Sequence, residues 1–575
     1  MSAPLLPTGE GRRGGRPLPS GTLVAFVLLI CAVVSSMTIL HPAYADFLAG
    51  DRGETSAPNA CMRAAIERAG GLGAFVRGPR DGSCDGSDDH TSEGILISYA
   101  VLAVATALHY WFRSARRARK RGVRALDAER FPALHAEIER LTAGVGQARG
   151  VTVLVDFLDS GVNGVTFGRA GRRHIVLSRG LVALYEGDAA QREAFRAVVL
   201  HELAHLRNRD VDITMITLSL LRCFFVLILG PRVFGDLFGV LFVPGGAVFF
   251  GARILDALAL WWVIRAARGI VLRTREFLAD ARVVEWQRGS PRPLLGAFGL
   301  AAQTAPRSRR PSRTHPSFAE RKECLADRSR LMYQGFGFAF VVGFCLPLAW
   351  DPVSSITAQW RVGGGVKGWW PAELITALVV LVLFLTVARA ALHDLGGSGR
   401  RPPRARFRTG LAVGICAGYA VAPSVVVDHT MMPGLRPDVQ ASGWLVVALI
   451  GLGFTWWCEL LARSWAVPLA HAGTEFRGVA LLGLAAAAAA VLAASTVFEL
   501  QWQIEMGQFM SEDLAALPGP VHAALWTLGV AAYQLSDPVW FTVAAALLLG
   551  IPLAGRLRAR GLARPGPPHG SGRPA

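Results

Sequence analysis

Residues 198–210 read VVLHELAHLRNRD, which sets His201 and His205 four apart with Glu202 between them. On a helix, positions i and i+4 stack on one face, the geometry two imidazoles need to chelate a single ion. Glu202, one residue on, would lie beside that ion, where it can take a proton from a water the ion activates. The bland alternative is a solvated helix face carrying a surface histidine pair. A catalytic zinc also needs a third protein ligand and an open position. The stretch TREFLADARV offers one, because Glu276 and Asp280 are again i and i+4. Glu276 could ligate while Asp280 orients His201 or His205 from behind. The same pair reads equally as an acidic helix face salt-bridged to Arg273, Arg275 or Arg282. The eight cysteines include no CxxC pair, which argues against a thiolate site. Two histidines and a carboxylate favour one Zn²⁺ per chain over a redox metal.

The elements that must hold these residues are legible nearby. Asp188, followed three residues later by Gln191, predicts a capping box opening a helix through residue 206 or beyond. Phe195, Val199, Leu203 and Leu206 form its core stripe, and at 100° per residue His201 and His205 project from a different side. Upstream, FPALHAEIERLTAG places Phe131, Leu134, Ile138 and Leu141 on one helical stripe. VTVLVDF at 151–157 reads as a buried strand, and NGVTFG at 163–168 supplies glycine turns before HIVLS at 174–178. That pattern predicts a hairpin between 151–157 and 174–178.

The surroundings of this segment are too apolar for an ordinary soluble chain. Over 575 residues, 52% are hydrophobic and the mean hydropathy is +0.37. Runs long enough to cross a bilayer occur at 21–40, 94–112, 213–230 and 240–264. A later series runs 335–350, 371–391, 409–427, 442–462, 478–498 and 537–555, making about ten spans. Residues 516–535 read as a re-entrant or interfacial piece. The net charge of +18 is concentrated between the spans, at Arg12, Arg13 and Arg16, at 113–121, at 400–408 and at 556–564. Positive loops stay inside, which puts both termini, 113–212, 265–334 and 392–408 in the cytoplasm. The loop 41–93 lies outside, and there Cys61 and Cys84 could form a disulfide. No basic and aromatic surface pattern accompanies the charge, so nucleic acid is not an expected partner. A basic leader, an apolar run and AYA at 43–45 also suit a cleaved signal peptide, but the length of the run favours an uncleaved first span. Arg222, Arg232 and Arg253 fall within or beside spans and must snorkel or face protein. An even number of crossings between the HELAH segment and Glu276 returns both to the cytoplasmic side.

HELAHLRNRD, REFLAD and THPSFAERKECL at 314–325 resemble the three signature blocks of the HtpX-type and CAAX-prenyl-protease-type membrane zinc metallopeptidases. The likeness covers roughly residues 94–330. It implies a gluzincin fold with His201, His205 and Glu276 as zinc ligands, Glu202 as general base and Asp280 behind the ligands. It also implies that His315 contacts the substrate carbonyl or its oxyanion, with Arg321 supporting it; without the resemblance, His315 reads as an ordinary loop histidine. The family's substrate-edge motif resembles NAF, whereas this chain has NGV at Asn163 to Val165, so no substrate role carries over to Asn163.

The expected architecture is a polytopic α-helical membrane protein with a cytoplasmic α+β gluzincin metalloprotease domain interrupted by a transmembrane hairpin. Basic tails at 1–20 and 556–575 flank two spans at 21–112, a peptidase domain at 113–334 with its hairpin at about 213–264, and a multi-span region at 335–555. The expected function is a zinc endopeptidase that cleaves membrane or misfolded proteins from the cytoplasmic side of a bacterial inner membrane. The use of Arg almost to the exclusion of Lys is consistent with a GC-rich bacterial genome. Two rivals stand beside it. One is a metallopeptidase sensor-transducer, and the other a membrane scaffold or transporter with a vestigial peptidase domain.

Overall fold

The computed structural model describes residues 21–40, 89–118, 122–146, 151–242, 247–304, 315–327, 331, 335–346, 370–395, 404–426, 451–461, 463–465, 550 and 552–557. The expected tails up to residue 20 and from 558, Cys61, Cys84 and the segments 478–498 and 516–535 lie outside the described residues. The chain divides into two compact units, one taking in Ser20–Ala60 and Cys84–Leu331, the other the chain from Met332 onward.

The first unit is mostly helical around one small sheet. Two helices, α1 (Gly21–Leu40) and α2 (Asp89–Ala118), precede strand β1 (Val123–Ala125) and helix α3 (Pro132–Gly144). Strands β2 (Val151–Asp156), β3 (Gly164–Arg169) and β4 (Arg172–Ser178) follow, then helices α4 (Arg179–Glu186) and α5 (Ala189–Arg207). The sheet order is β1-β2-β4-β3. The strands 151–157 and 174–178 do pair, but in parallel, with Val153 beside Ile175. The expected hairpin between them is therefore replaced by one between β3 and β4, where Thr166 faces Ile175. Gly164 and Gly168 lie within β3 itself, and the tight turn falls at Ala170–Gly171, where Gly171 has φ 78°.

Packing follows the stripes read from the sequence. Leu134, Ile138 and Leu141 of α3 are buried with Phe195, Val199 and Leu203 of α5 and with Ile175 and Leu177 of β4. The capping box opening α5 is present in both directions, Asp188 accepting from the Gln191 backbone and the Gln191 side chain accepting from the Asp188 backbone.

Beyond α5, Arg209 takes a left-handed conformation (φ 61°) that turns the chain into α6 (Asp210–Phe224). A π-helical turn at Phe225–Leu229 continues it into α7 (Gly230–Phe242). Residues Asp210–Phe242 are, among those described, the one helix both long and apolar enough to cross a membrane. Gly21–Met37, Phe336–Leu346 and Leu378–Ala390 are apolar but shorter. The return helix α8 (Ala247–Trp286) runs 40 residues and packs on α7 and α1. Residues 230–240, left between the expected spans 213–230 and 240–264, are helical. The physical reason is local charge pairing: Asp236 is buried and accepts from Arg232 one turn earlier (2.7 Å), while Arg253 of α8 approaches it to 3.1 Å. Charges that would interrupt an apolar helix neutralise one another within it. Helices α9 (Arg292–Thr304) and α10 (Phe318–Ala326) close the unit.

Asp212, near the start of α6, ties this helix to the sheet. It accepts from Tyr110 of α2 (2.7 Å) and from Arg173 of β4 (2.8 Å).

In the second unit, α11 (Phe336–Leu346), α12 (Trp370–Leu395), α13 (Arg404–Val426) and a helix at 451–461 are described. Gly343 of α11 and Gly418 of α13 allow backbone contact between those helices, since a Cβ on either would strike a carbonyl of the other, of Ile415 or Phe340. Glu459 is buried and paired with Arg408 and Arg463.

Candidate metal centre

Three helices and one loop converge on the HELAH face of α5. His201 and His205 approach each other with Nε2 atoms 3.2 Å apart. Glu276 of α8 completes a triangle, its Oε2 3.4 Å from His201 Nε2 and its Oε1 3.6 Å from His205 Nε2. All three residues are buried. These separations test whether zinc fits. Ligand bonds of about 2.0–2.1 Å in a tetrahedron put donor atoms about 3.3 Å apart. The observed 3.2, 3.4 and 3.6 Å are close to such edges, the carboxylate offering Oε2 toward His201 and Oε1 toward His205, so the three side chains surround one space that suits the ion.

Each imidazole is held from behind. His201 Nδ1 lies 3.0 Å from Asp280 Oδ1, and His205 Nδ1 lies 3.4 Å from Asp210 Oδ2. A carboxylate on the far nitrogen fixes the ring's tautomer and turns Nε2 toward the ion site. Asp280 was anticipated for one of the two rings, and the structure pairs it with His201. Asp210 was not anticipated. In a continuous helix, i+5 is not a same-face spacing, and only the left-handed turn at Arg209 brings Asp210 back onto His205.

Arg321 of α10 makes a two-pronged contact with Asp280, at 2.7 Å from Nε to Oδ2, and lies over the Phe298 ring at 4.3 Å. The resemblance cast it as support for His315; here it braces Asp280, with Nη2 also 3.4 Å from His201 Nδ1. His315 enters on the loop before α10, which Ser317 and Glu320 open with a second capping box. Its Nδ1 lies 3.4 Å from Glu276 Oε1, and its side chain is 56% exposed, the most accessible group of the cluster. Arg275 donates to Glu276 Oε1 (2.8 Å from Nη2) and to Thr214 of α6, whose hydroxyl donates to the Asp210 carbonyl. The arginine pairing expected of an acidic face is therefore present, but it surrounds the ligand triangle instead of replacing it. Arg273 pairs with Glu320 and not with Glu276.

Glu202 is buried beside the triangle. Its Oε2 accepts from the Thr166 hydroxyl of β3 at 2.6 Å. Thr166 carries no sequence signal, because its contact joins segments far apart in the chain.

The electrostatics follow from this crowding. Burial would raise the Glu276 carboxyl, but the Arg275 charge, with His201, His315 and His205 around it, holds it well below the usual carboxylate range. Burial likewise opposes ionisation of Asp280, and Arg321 and His201 outweigh it. His201 is depressed by burial yet raised by Asp280 and Glu276, reaching about 9.

Residues 128–329 match peptidase family M48. Among curated proteins, a "Protease HtpX homolog" of Aquifex aeolicus (strain VF5) is 27% identical over 128 residues, 22% of this chain and 40% of that protein. A "Protease HtpX homolog" of Halobacterium salinarum (strain ATCC 700922 / JCM 11081 / NRC-1) is 29% identical over 167 residues, 28% of this chain and 50% of that protein. The chain thus spans half or less of the length of these relatives. No solved structure matches.

Proposed function

Starting from the match of residues 128–329 to peptidase family M48, we propose that the chain is a zinc-dependent endopeptidase embedded in a membrane, cleaving membrane or misfolded proteins on the cytoplasmic side. The observation that carries this reading is the triangle of His201, His205 and Glu276 at tetrahedral spacing with the Glu202 carboxylate beside it.

His201 and His205 would hold the ion through Nε2 and Glu276 through its carboxylate, leaving the fourth position to solvent or substrate. A zinc ion bound there supplies Lewis acidity, polarising the scissile carbonyl and making water acidic near neutral pH. Glu202 takes the proton of the attacking water and returns it to the departing amine nitrogen, so no covalent enzyme intermediate is formed. His315, exposed and adjacent to Glu276, is the side chain available to donate to the carbonyl oxygen as it gains charge. Among the described residues no strand pairs with the outer side of β3, and an extended substrate added there would be read through its backbone with loose side-chain preference.

The membrane reading draws on the surfaces of α2 and of the α7–α8 pair. Ile97, Val101, Val104, Leu108 and Trp111 follow one another at helical spacing along α2, all exposed. Phe234, Phe238, Leu241 and Phe242 of α7 and Leu255, Leu258 and Trp262 of α8 are exposed as well. Apolar surface on this scale suits lipid better than water. Substrates already in or on the bilayer then meet a loosely selective cleft, which suits removal of damaged proteins.

The test is zinc content and casein cleavage by the detergent-purified chain. One zinc with cleavage in the wild type, zinc without cleavage in Glu202→Gln, and loss of zinc in Glu276→Ala support the assignment. A wild type without zinc, or a Glu202→Gln variant as active as wild type, overturns it.

A further inference from the structure

The strand β3 does more than border the site. Glu202 is 5% exposed, and among the described residues its carboxylate has one hydrogen-bond donor, the Thr166 hydroxyl 2.6 Å from Oε2. The same hydroxyl has the Glu202 carbonyl oxygen at 3.2 Å as its alternative acceptor. Two residues earlier on the same face of the strand stands Gly164. A Cβ built there would come 2.9 Å from Glu202 Cγ and 3.2 Å from Oε1. The glutamate therefore lies against a glycine and is tethered by a threonine, both fixed by pairing with β4 opposite Leu177 and Ile175.

We propose that Gly164 and Thr166 form a cradle that positions the Glu202 carboxylate, with Gly164 leaving the space and Thr166 fixing Oε2 so that Oε1 receives the proton. The proposal rests on the metallopeptidase reading and deepens it. Thr166 is a positioning residue, since it touches the base and not the substrate. A carboxylate this buried, with a single donor, has little else to set its rotamer, and a β-branched residue on a paired strand keeps its own χ1 fixed. The cradle also links two events. A substrate strand laid along β3 contacts the same strand that aims the base, so binding and proton transfer share one rigid element.

The experiment compares wild type, Thr166→Val and Thr166→Ser for zinc content, melting temperature, and kcat and KM on casein. Valine keeps the shape and removes the hydroxyl, while serine restores it. The expected result is that Thr166→Val keeps its zinc, its melting temperature and its KM but loses about 10- to 100-fold in kcat, the range for a hydrogen bond to a charged group. Thr166→Ser recovers most of that loss. A Thr166→Val kcat within about twofold of wild type, below the loss of even one such bond, overturns the proposal. So does a loss of zinc or of thermal stability that accounts for the lost rate, since that makes Thr166 a structural residue. A wild type that does not cleave, or an active Glu202→Gln, sinks the metallopeptidase reading itself and the cradle with it.

Discussion

Asp210, the first residue of α6, is fully buried and faces His205 Nδ1 at 3.4 Å, so the helix that begins the membrane-length segment also orients a metal-site histidine. Asp210→Asn keeps the volume and removes the charge. It is expected to weaken zinc binding by about 10- to 100-fold, the usual effect of removing a carboxylate behind a ligating histidine. Competition against a chromophoric chelator measures this, and an unchanged affinity would mean that Asp210 does not act on the ion through His205.

Zinc uptake should carry a proton signature. In the protein without metal, Asp280 and Glu276 raise His201 from 6.5 to about 9, so the ring is charged at neutral pH. The stabilisation from that charged ring is fully present below 6.5 and is lost as pH rises through about 9. Metal competes for the same ring, so zinc affinity is expected to climb with pH up to about 9 and binding at pH 7 to release about one proton from this ring. Calorimetry in buffers of differing ionisation enthalpy counts the protons, and a zero count contradicts the charge state of His201.

Arg321→Ala removes the guanidinium from a carboxylate that is almost wholly buried. Leaving such a charge unpaired is expected to destabilise the fold by about 3–5 kcal/mol, read as an early melt in detergent. A variant that melts like wild type would show that Asp280 finds its balance in His201 alone.

Gly164→Ala sets a methyl 2.9 Å from Glu202 Cγ, so the glutamate must shift to admit it. Cleavage should fall with zinc content unchanged, and a fully active variant would mean that Glu202 moves aside freely.

Asp236→Ala takes from Arg232 and Arg253 the carboxylate they share inside the helical hairpin. The variant should melt well below wild type, and replacing all three charges by apolar residues of similar volume should restore much of the loss. An unchanged melting temperature for the single variant would show that the two arginines do not depend on Asp236.

What could be read in advance was local. The spacing of His201, Glu202 and His205, the Asp188 capping box and the stripe of Phe195, Val199 and Leu203 all depend on neighbours a few residues apart, and the fold keeps each of them. Glu276 could be nominated because a third donor was needed and REFLAD resembles a family block, and folding brings it across some seventy residues to His201. The strand pairing was misjudged because a glycine in a strand interior and a glycine in a turn look alike in a short motif, and β3 holds two of them. Asp210 and Thr166 were illegible for a different reason: each acts through a contact that exists only after the chain has turned or paired.

The unbroken length of α8 has a geometric consequence. Its apolar run ends at Ile264, about a dozen residues before Glu276, so roughly 18 Å of the same helix, at 1.5 Å per residue, separates the two. One rigid rod therefore carries both the apolar stretch packed on α7 and α1 and the carboxylate of the candidate ion site, and a tilt of its apolar end is delivered to Glu276.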